Sequence, residues 1–326
     1  MSDGLSRRRF IFGIGTAAAV SALPINAASN LLEPLYFATG PSHIASRITP
    51  AAADIQFGYA AITWGGNDPQ AIKDISELGF RGIQLRSNIL AEYGKTPQVL
   101  KERLAQHRLE MVALSSGGVG IGAGTEADEI AKHALHAKFV HDVGGRYLQV
   151  TDSARAKDRK PTADDFKQLG KVLTEIGKRA LDLGVPVGYH NHMNSLGEAP
   201  GEVDQVMDAV DPRYIKLELD IAHYQQGGGD PTKAIKKYRD RLLFLHIKDL
   251  ESPVTAAAGE QPRPYRFVEL GRGKVDLPAV FEALKDVKFR GWAIVELDSV
   301  PDKMRTPKEA AAISKKYLEE RLGMKV

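Results

Sequence analysis

The chain has 326 residues, 43% hydrophobic and 26% charged, a composition that excludes a disordered or polytopic membrane protein and leaves room for one large domain or two small ones. The formal net charge is +3, part of it from Arg7, Arg8 and Arg9, so the body is nearly neutral and offers no basic surface for nucleic acid. With no cysteine, disulfides, thiolate nucleophiles and zinc–thiolate sites are excluded together.

At the N-terminus, Ser6-Arg7-Arg8-Arg9-Phe10-Ile11 precedes an apolar stretch of Gly, Ala, Ile and Val up to about Leu23, then the small residues Ala27, Ala28 and Ser29. This resembles a twin-arginine signal, and the short, Gly- and Ala-rich run broken by Pro24 argues against a stable membrane span. The expected organisation is a signal peptide over 1–27, a tether over 28–54 and one domain over 55–326. The twin-arginine export machinery is then a partner, the destination is periplasmic or otherwise extracytoplasmic, and a route for folded, often cofactor-loaded proteins hints at a metal.

Further along, short apolar runs predict strands over 56–64, 82–86, 110–115, 146–151, 185–190, 214–220, 242–247 and 292–296. Amphipathic stretches between them predict helices over 69–78, 97–107, 126–143, 163–183, 231–238 and 277–284, with a last one over 307–322. Gly79, Gly144 and Gly184 stand where a helix ends or the next strand opens. Eight βα units in about 270 residues predict an α/β fold of the closed (β/α)8 TIM-barrel type, because the alternative open doubly wound sheet wants a phosphate-binding glycine fingerprint that Ile62-Thr63-Trp64-Gly65-Gly66 is not.

A TIM barrel gathers its chemistry at the C-terminal ends of its strands. Here the fifth strand runs into His190-Asn191-His192, the sixth into Asp220 and then His223, the seventh into His246-Ile247-Lys248-Asp249, and the eighth into Glu296-Leu297-Asp298. Imidazoles and carboxylates without thiolates suit a borderline or hard divalent ion. Alternation along a strand puts His190 with His192 and His246 with Lys248, and turns Asn191 and Ile247 the other way. Any one histidine near a strand end is ordinarily a hydrogen-bonded structural residue, but four such coincidences in register point to a metal site.

At these residues the chain resembles the xylose-isomerase-like superfamily of sugar phosphate isomerases and epimerases, which also contains apurinic endonucleases and inosose dehydratases. The resemblance rests on Gly188-Tyr189-His190-Asn191-His192, Leu219-Asp220-Ile221-Ala222-His223, Leu245-His246-Ile247-Lys248-Asp249, Val295-Glu296 and the glycine-containing phrase from Phe267 to Asp276. It implies one divalent ion (Mn, Mg, Co or Zn) on His190, Asp220, His246 and Glu296, with His223 and Lys248 facing the substrate, and it is compatible with a homodimer. The epimerases' glutamate at the fifth strand is His190 here, so a pair of opposed metal-bound glutamate bases is not carried over.

Such a site deprotonates a carbon next to a carbonyl, the ion stabilising an enediolate while a nearby group moves the proton. Glu296 is the leading catalytic carboxylate, with His192 and Glu198 as further candidates; Glu198 also reads as a solvated loop residue. Trp64 and Asn191 are further substrate-binding candidates, Trp64 and Tyr59 being equally suited to the core. Glu218 shares the face of Asp220, where an unpaired carboxylate is costly, and either pairs with a lysine or supports the metal from below. The expected activity is isomerisation or epimerisation of a non-phosphorylated sugar or keto-sugar; the alternatives are a lyase or hydratase eliminating from a 3-keto-glycoside and a non-catalytic extracytoplasmic sugar-binding protein. Nuclease activity is disfavoured because the second and third strands end in Arg86 and Ser115 rather than in further histidines.

Overall fold

A computed structural model describes residues 55–254 and 264–326; the expected signal peptide and tether lie outside the described residues. The barrel strands are β1 (Ile55–Ala60), β2 (Gly82–Arg86), β3 (Glu110–Val119), β4 (Tyr147–Asp152), β5 (Val187–His190), β6 (Ile215–Asp220), β7 (Leu242–Ile247) and β10 (Gly291–Val295). All eight neighbouring pairs are parallel, and β10 closes the ring against β1. The expected TIM barrel is therefore the observed fold. Between β7 and β10, β8 (Asp249–Glu251) and β9 (Arg266–Val268) form a separate antiparallel pair that the sequence pattern did not predict.

The helices are α1 (Asp68–Glu77), α2 (Leu90–Tyr93), α3 (Pro97–Gln106), α4 (Glu126–Val143), α5 (Ala163–Leu181), α6 (Pro200–Ala209), α7 (Ile221–Gln226), α8 (Pro231–Lys237), α9 (Leu277–Asp286) and α10 (Pro307–Leu322). Helix α5 is held at its start by a Thr162–Asp165 capping box and buries one side through Phe166, Leu169, Leu173 and Ile176. Among the described residues no helix is long and apolar enough to cross a membrane.

Apolar packing is divided in two. The larger core fills the space between the sheet and the helices, and a smaller cluster of Ala60, Val112, Ala113, Phe244, Trp292 and Ile294 plugs the barrel's lower lumen. Glycines on the lumen face make room for this plug. A Cβ on Gly82 would sit 2.4 Å from Trp292, and one on Gly188 would sit 3.1 Å from Phe244 and 3.2 Å from Glu218. With the lower lumen filled, polar side chains are left only the upper layers, where the strands end.

Two local features depart from expectation, an early end to the first strand and the unpredicted helix α7 directly after the sixth. The first strand stops at Ala60, and Ala61–Trp64 closes as a 3₁₀ turn ended by Gly65 in the left-handed region at φ 63°. The sixth strand runs straight into α7, because the Asp220 side chain caps that helix, its Oδ1 accepting from the Ala222 and His223 N–H groups at 2.9 and 2.8 Å.

Candidate functional site

The sheet register assembles the site. Asp220 is level with His246 across β6 and β7, His246 with Ile294 across β7 and β10, and His190 with Glu218 across β5 and β6. Same-face neighbours therefore converge at the top of the lumen. His190, Asp220, His246, Lys248 and Glu296 are all buried there.

His246 stands at the centre. Its Nδ1 is 3.6 Å from Asp220 Oδ2 and 3.4 Å from Glu296 Oε2, and its Nε2 is 2.7 Å from Glu218 Oε1 and donates to Gln84 Oε1 at 3.0 Å. One ligand atom each from His190, Asp220 and His246 lies within 4.8 Å of the others. His190 Nδ1, Asp220 Oδ2 and His246 Nδ1 are buried without a hydrogen-bond partner, although buried polar groups are ordinarily satisfied. Three orphaned electron-pair donors beside a second carboxylate are what a divalent cation would satisfy. Asp220 is well suited to it: the cap occupies one oxygen and leaves the other free.

His190, His192 and His223 form a second group with nitrogens within 4.8 Å of one another, and it fits a cation less well. The backbone of Met193 sets two of these rings in opposite tautomers. Its carbonyl accepts from His192 Nδ1 at 2.6 Å, leaving a lone pair on His192 Nε2. Its N–H donates to His223 Nδ1 at 3.3 Å, so the proton of a neutral His223 sits on Nε2. Lys248 Nζ lies 3.5 Å from that Nε2, but a neutral imidazole accepts at one nitrogen only, and the ammonium is already engaged elsewhere. A protonated nitrogen beside a lysine is a poor place for a metal.

Lys248 is fully buried and donates to Glu296 Oε1 at 2.9 Å and to Asp298 Oδ1 at 2.5 Å, with the ring centroid of Phe267 4.0 Å away. Burial alone would lower its pKa; the charges of Glu296, Asp298 and Asp220 outweigh that and hold it above the ordinary lysine value. Burial pulls in the opposite direction on Glu296, whose pKa is nevertheless kept below the usual glutamate range by His246 and Lys248. Burial depresses the pKa of His190 well below normal, with the charges of His246 and His192 adding to it, and burial with Lys248 does the same to His223. His246 is raised despite burial by Glu218 and Glu296, and burial pushes Glu218 up to about 7. At neutral pH, without a cation, the site thus holds an ionised Glu296, neutral His190 and His223 and charged His246 and Lys248.

Above this cluster opens a cavity of about 150 Å³, lined among others by Arg86, Gln149, Thr151, His190, His192 and Glu296. Three of the expected site residues are employed elsewhere. Trp64 is buried against Tyr59, and its Nε1 donates to Asp74 of α1, so it packs the shell behind the barrel rather than the cavity. Asn191 spends its amide on Asp220, donating to the Asp220 carbonyl at 3.1 Å and accepting from the Asp220 N–H at 2.9 Å. Glu198 accepts from the Asn194 N–H at 2.6 Å and lies 3.8 Å from Arg155, bracing the loop after β5.

Other residues at the site were given no role from the sequence, although Asp249 and Phe267 stand in the quoted motifs. Gln84 and Gln149 interrupt the apolar runs of β2 and β4 at lumen positions, a signal that same-face reading could have used. Phe267 and Tyr265 reach the site through the β8–β9 pair, Phe267 lying 4.9 Å from the His223 ring. Asp249 holds the following loop by accepting from the N–H groups of Leu250, Gly271, Gly273 and Val275 at 2.8 to 3.1 Å. Nothing in local periodicity foretells that arrangement.

Comparison with known proteins agrees with this geometry. Residues 72–321 match the family described as Xylose isomerase-like TIM barrel. The chain belongs to that family. It is 27% identical over 301 residues to an inosose dehydratase of Lacticaseibacillus casei, covering 83% of this chain and 98% of the relative. Inosose dehydratase 2 of Bacillus cereus is 26% identical over 298 residues, with 83% and 98% covered. Among solved structures, the IOLI protein with a binding zinc atom superposes with a TM-score of 0.69 at 21% identity, covering 81% of this chain and 97% of that one, which bears on the fold alone.

Proposed function

We propose that this protein is a divalent-metal-dependent lyase of keto-sugars or keto-cyclitols, which removes the proton next to a ketone and expels the oxygen substituent one carbon further on. The observation that carries the reading is the set of orphaned atoms on His190, Asp220 and His246 beside the Glu296 carboxylate, with His190 and Glu296 lining one small cavity. Those four residues would hold the ion, and when bound it supplies a Lewis acid for the negative charge developing on the carbonyl oxygen. The names of the inosose dehydratases, similar over 83% of this chain, support elimination as the outcome.

The chain's own groups suit the proton movements. Glu296 is ionised and His192 Nε2 carries a lone pair, so either can accept the proton from carbon. The Lys248 ammonium is the proton donor, able to protonate the departing oxygen as its electron pair leaves carbon and the carbon–carbon double bond forms, while the Nε2–H of a neutral His223 can only hydrogen-bond that oxygen. A β-hydroxy ketone would give an unsaturated ketone and water; a 3-keto-glycoside would give an unsaturated ketone and the free alcohol. At about 150 Å³ the cavity is smaller than the roughly 300–1,000 Å³ of ordinary ligand sites, so the reacting ring is the part of the substrate it would take.

Epimerisation is the second reading, favoured by the presence of two proton acceptors, Glu296 and His192, on one cavity. Product analysis with an inosose and with an oxidised and an unoxidised glycoside decides between them. Elimination is expected to release water or aglycone from the keto substrates only. A product of unchanged mass carrying solvent deuterium would refute elimination in favour of epimerisation, and binding without any product would leave the sugar-binding alternative.

A further inference from the structure

Glu218 has no part in the proton movements just described, yet it is completely buried one layer beneath Asp220, and both its oxygens lack a hydrogen-bond partner of good geometry. It does not pair with a lysine. Its Oε1 lies 2.7 Å from His246 Nε2 and 3.6 Å from His190 Nδ1. Gln84 approaches the same His246 nitrogen from β2, its Oε1 at 3.0 Å, and its own amide nitrogen is tied to Gln149 Oε1 at 3.4 Å.

The atoms facing His246 Nε2 are the Gln84 amide oxygen, which can only accept, and a Glu218 carboxyl oxygen, which accepts when ionised. The nitrogen between them therefore carries a hydrogen, so a neutral ring, or one whose second proton a cation would displace, has its lone pair on Nδ1, the atom turned toward Asp220 Oδ2 and Glu296 Oε2. We infer that Glu218 and Gln84 are positioning residues that fix the ring orientation and protonated nitrogen of His246, and so present Nδ1 to the metal ion. A carboxylate behind a ligating imidazole also makes the ligand more basic, and losing such a partner typically weakens metal affinity by about 10–100-fold. The inference rests on the metal reading above. It also accounts for a carboxylate held where stability alone would favour an apolar side chain of similar size.

The test uses the full-length protein, stripped and reloaded with zinc, as wild type, Glu218→Leu, Glu218→Gln and Gln84→Leu. Zinc affinity is measured by competition with a chromophoric chelator, and the His246 Nε2–H proton is followed by NMR in ¹⁵N-histidine-labelled protein with and without zinc. Glu218→Leu is expected to weaken zinc binding by about 10–100-fold and to shift or broaden the Nε2–H signal. Gln84→Leu is expected to produce a smaller loss, and Glu218→Gln, which keeps an acceptor oxygen, to recover most of the affinity. The metal-free Glu218→Leu protein should unfold at the wild-type temperature or above it, which a residue kept for stability would not allow. Unchanged zinc affinity and an unchanged Nε2–H signal in Glu218→Leu would overturn the inference alone. A wild-type protein that takes up no zinc or other divalent ion would overturn the metal reading and the inference with it.

Discussion

Replacing Asp220 with asparagine separates the two tasks of this side chain. Asparagine caps a helix about as well as aspartate, so the acceptor for the Ala222 and His223 N–H groups is retained and α7 should form. What disappears is the anionic oxygen that faces His246 Nδ1 at 3.6 Å and Lys248 Nζ at 3.8 Å. If that oxygen is a metal ligand, the loss should exceed the 10–100-fold typical of a supporting contact, so affinity should fall by at least about 100-fold. At a zinc concentration of about 100 times the wild-type Kd, the wild type gains about 2.7 kcal/mol, whereas the variant, then near its own Kd, gains only about 0.4 kcal/mol. For a domain of this size each kcal/mol moves Tm by about 2–4 °C, so zinc should raise the wild-type Tm by about 5–10 °C and the variant's by about 1 °C. Without metal, Asp220→Asn should change stability little, because Asp220 lies between the carboxylates of Glu218 and Glu296 on one hand and the cations of His246 and Lys248 on the other. Differential scanning calorimetry with elemental analysis of the same samples gives both numbers. A variant with wild-type zinc content and a full zinc-induced shift would show Asp220 to be a helix cap and nothing more.

The other predictions address neighbouring claims. Lys248→Met should keep or tighten zinc binding, since it removes a cation from beside Glu296 and Asp220, while lowering kcat by about 10²–10⁴-fold as expected for a lost proton donor; zinc loss in this variant would argue that the lysine organises the ligands instead. Asn191→Ala should destabilise the fold by about 1–3 kcal/mol, because it strands the buried N–H and C=O of Asp220, and urea unfolding that shows no change would contradict the bridging role. Burial lowers the pKa of His133 to about 4, so its contribution to stability is complete above about pH 6.5 and is lost as pH falls toward 4, up to about 3 kcal/mol. His133→Asn should flatten the pH dependence of urea unfolding over that window; an identical slope in both proteins would refute the assignment. At the N-terminus, Arg7→Lys together with Arg8→Lys should leave the protein in the cytoplasm, and unaltered export in fractionated cells would rule out the twin-arginine route.

Much of this molecule was legible in its amino-acid order. Helices α4 and α10 fall on the residues predicted for them, because each is closed by its own stop signal: Gly144 in the left-handed region after α4, and Gly323 after α10. The rim was legible for a related reason. A polar residue that ends a strand is delivered to one end of a closed parallel barrel, so His190, Asp220, His246 and Glu296 could be gathered from sequence and are gathered in space.

Residue type and position along the chain determined which side chains reach the top of the barrel. Only the tertiary structure decided which atom of each faces which neighbour. The sequence cannot state that Asp220 caps α7 with one oxygen and leaves the other bare, that Asn191 is consumed by the Asp220 backbone, or that Met193 sets His192 and His223 in opposite tautomers. The Asn191–Asp220 and Met193–His223 contacts join strands and loops whose relative heights are set by the stagger of the whole sheet. Trp64 shows the same limit from the other side. Its aromatic character suited a sugar or a core equally, and the early turn after Ala60, by bringing its indole N–H to Asp74, gave it to the core.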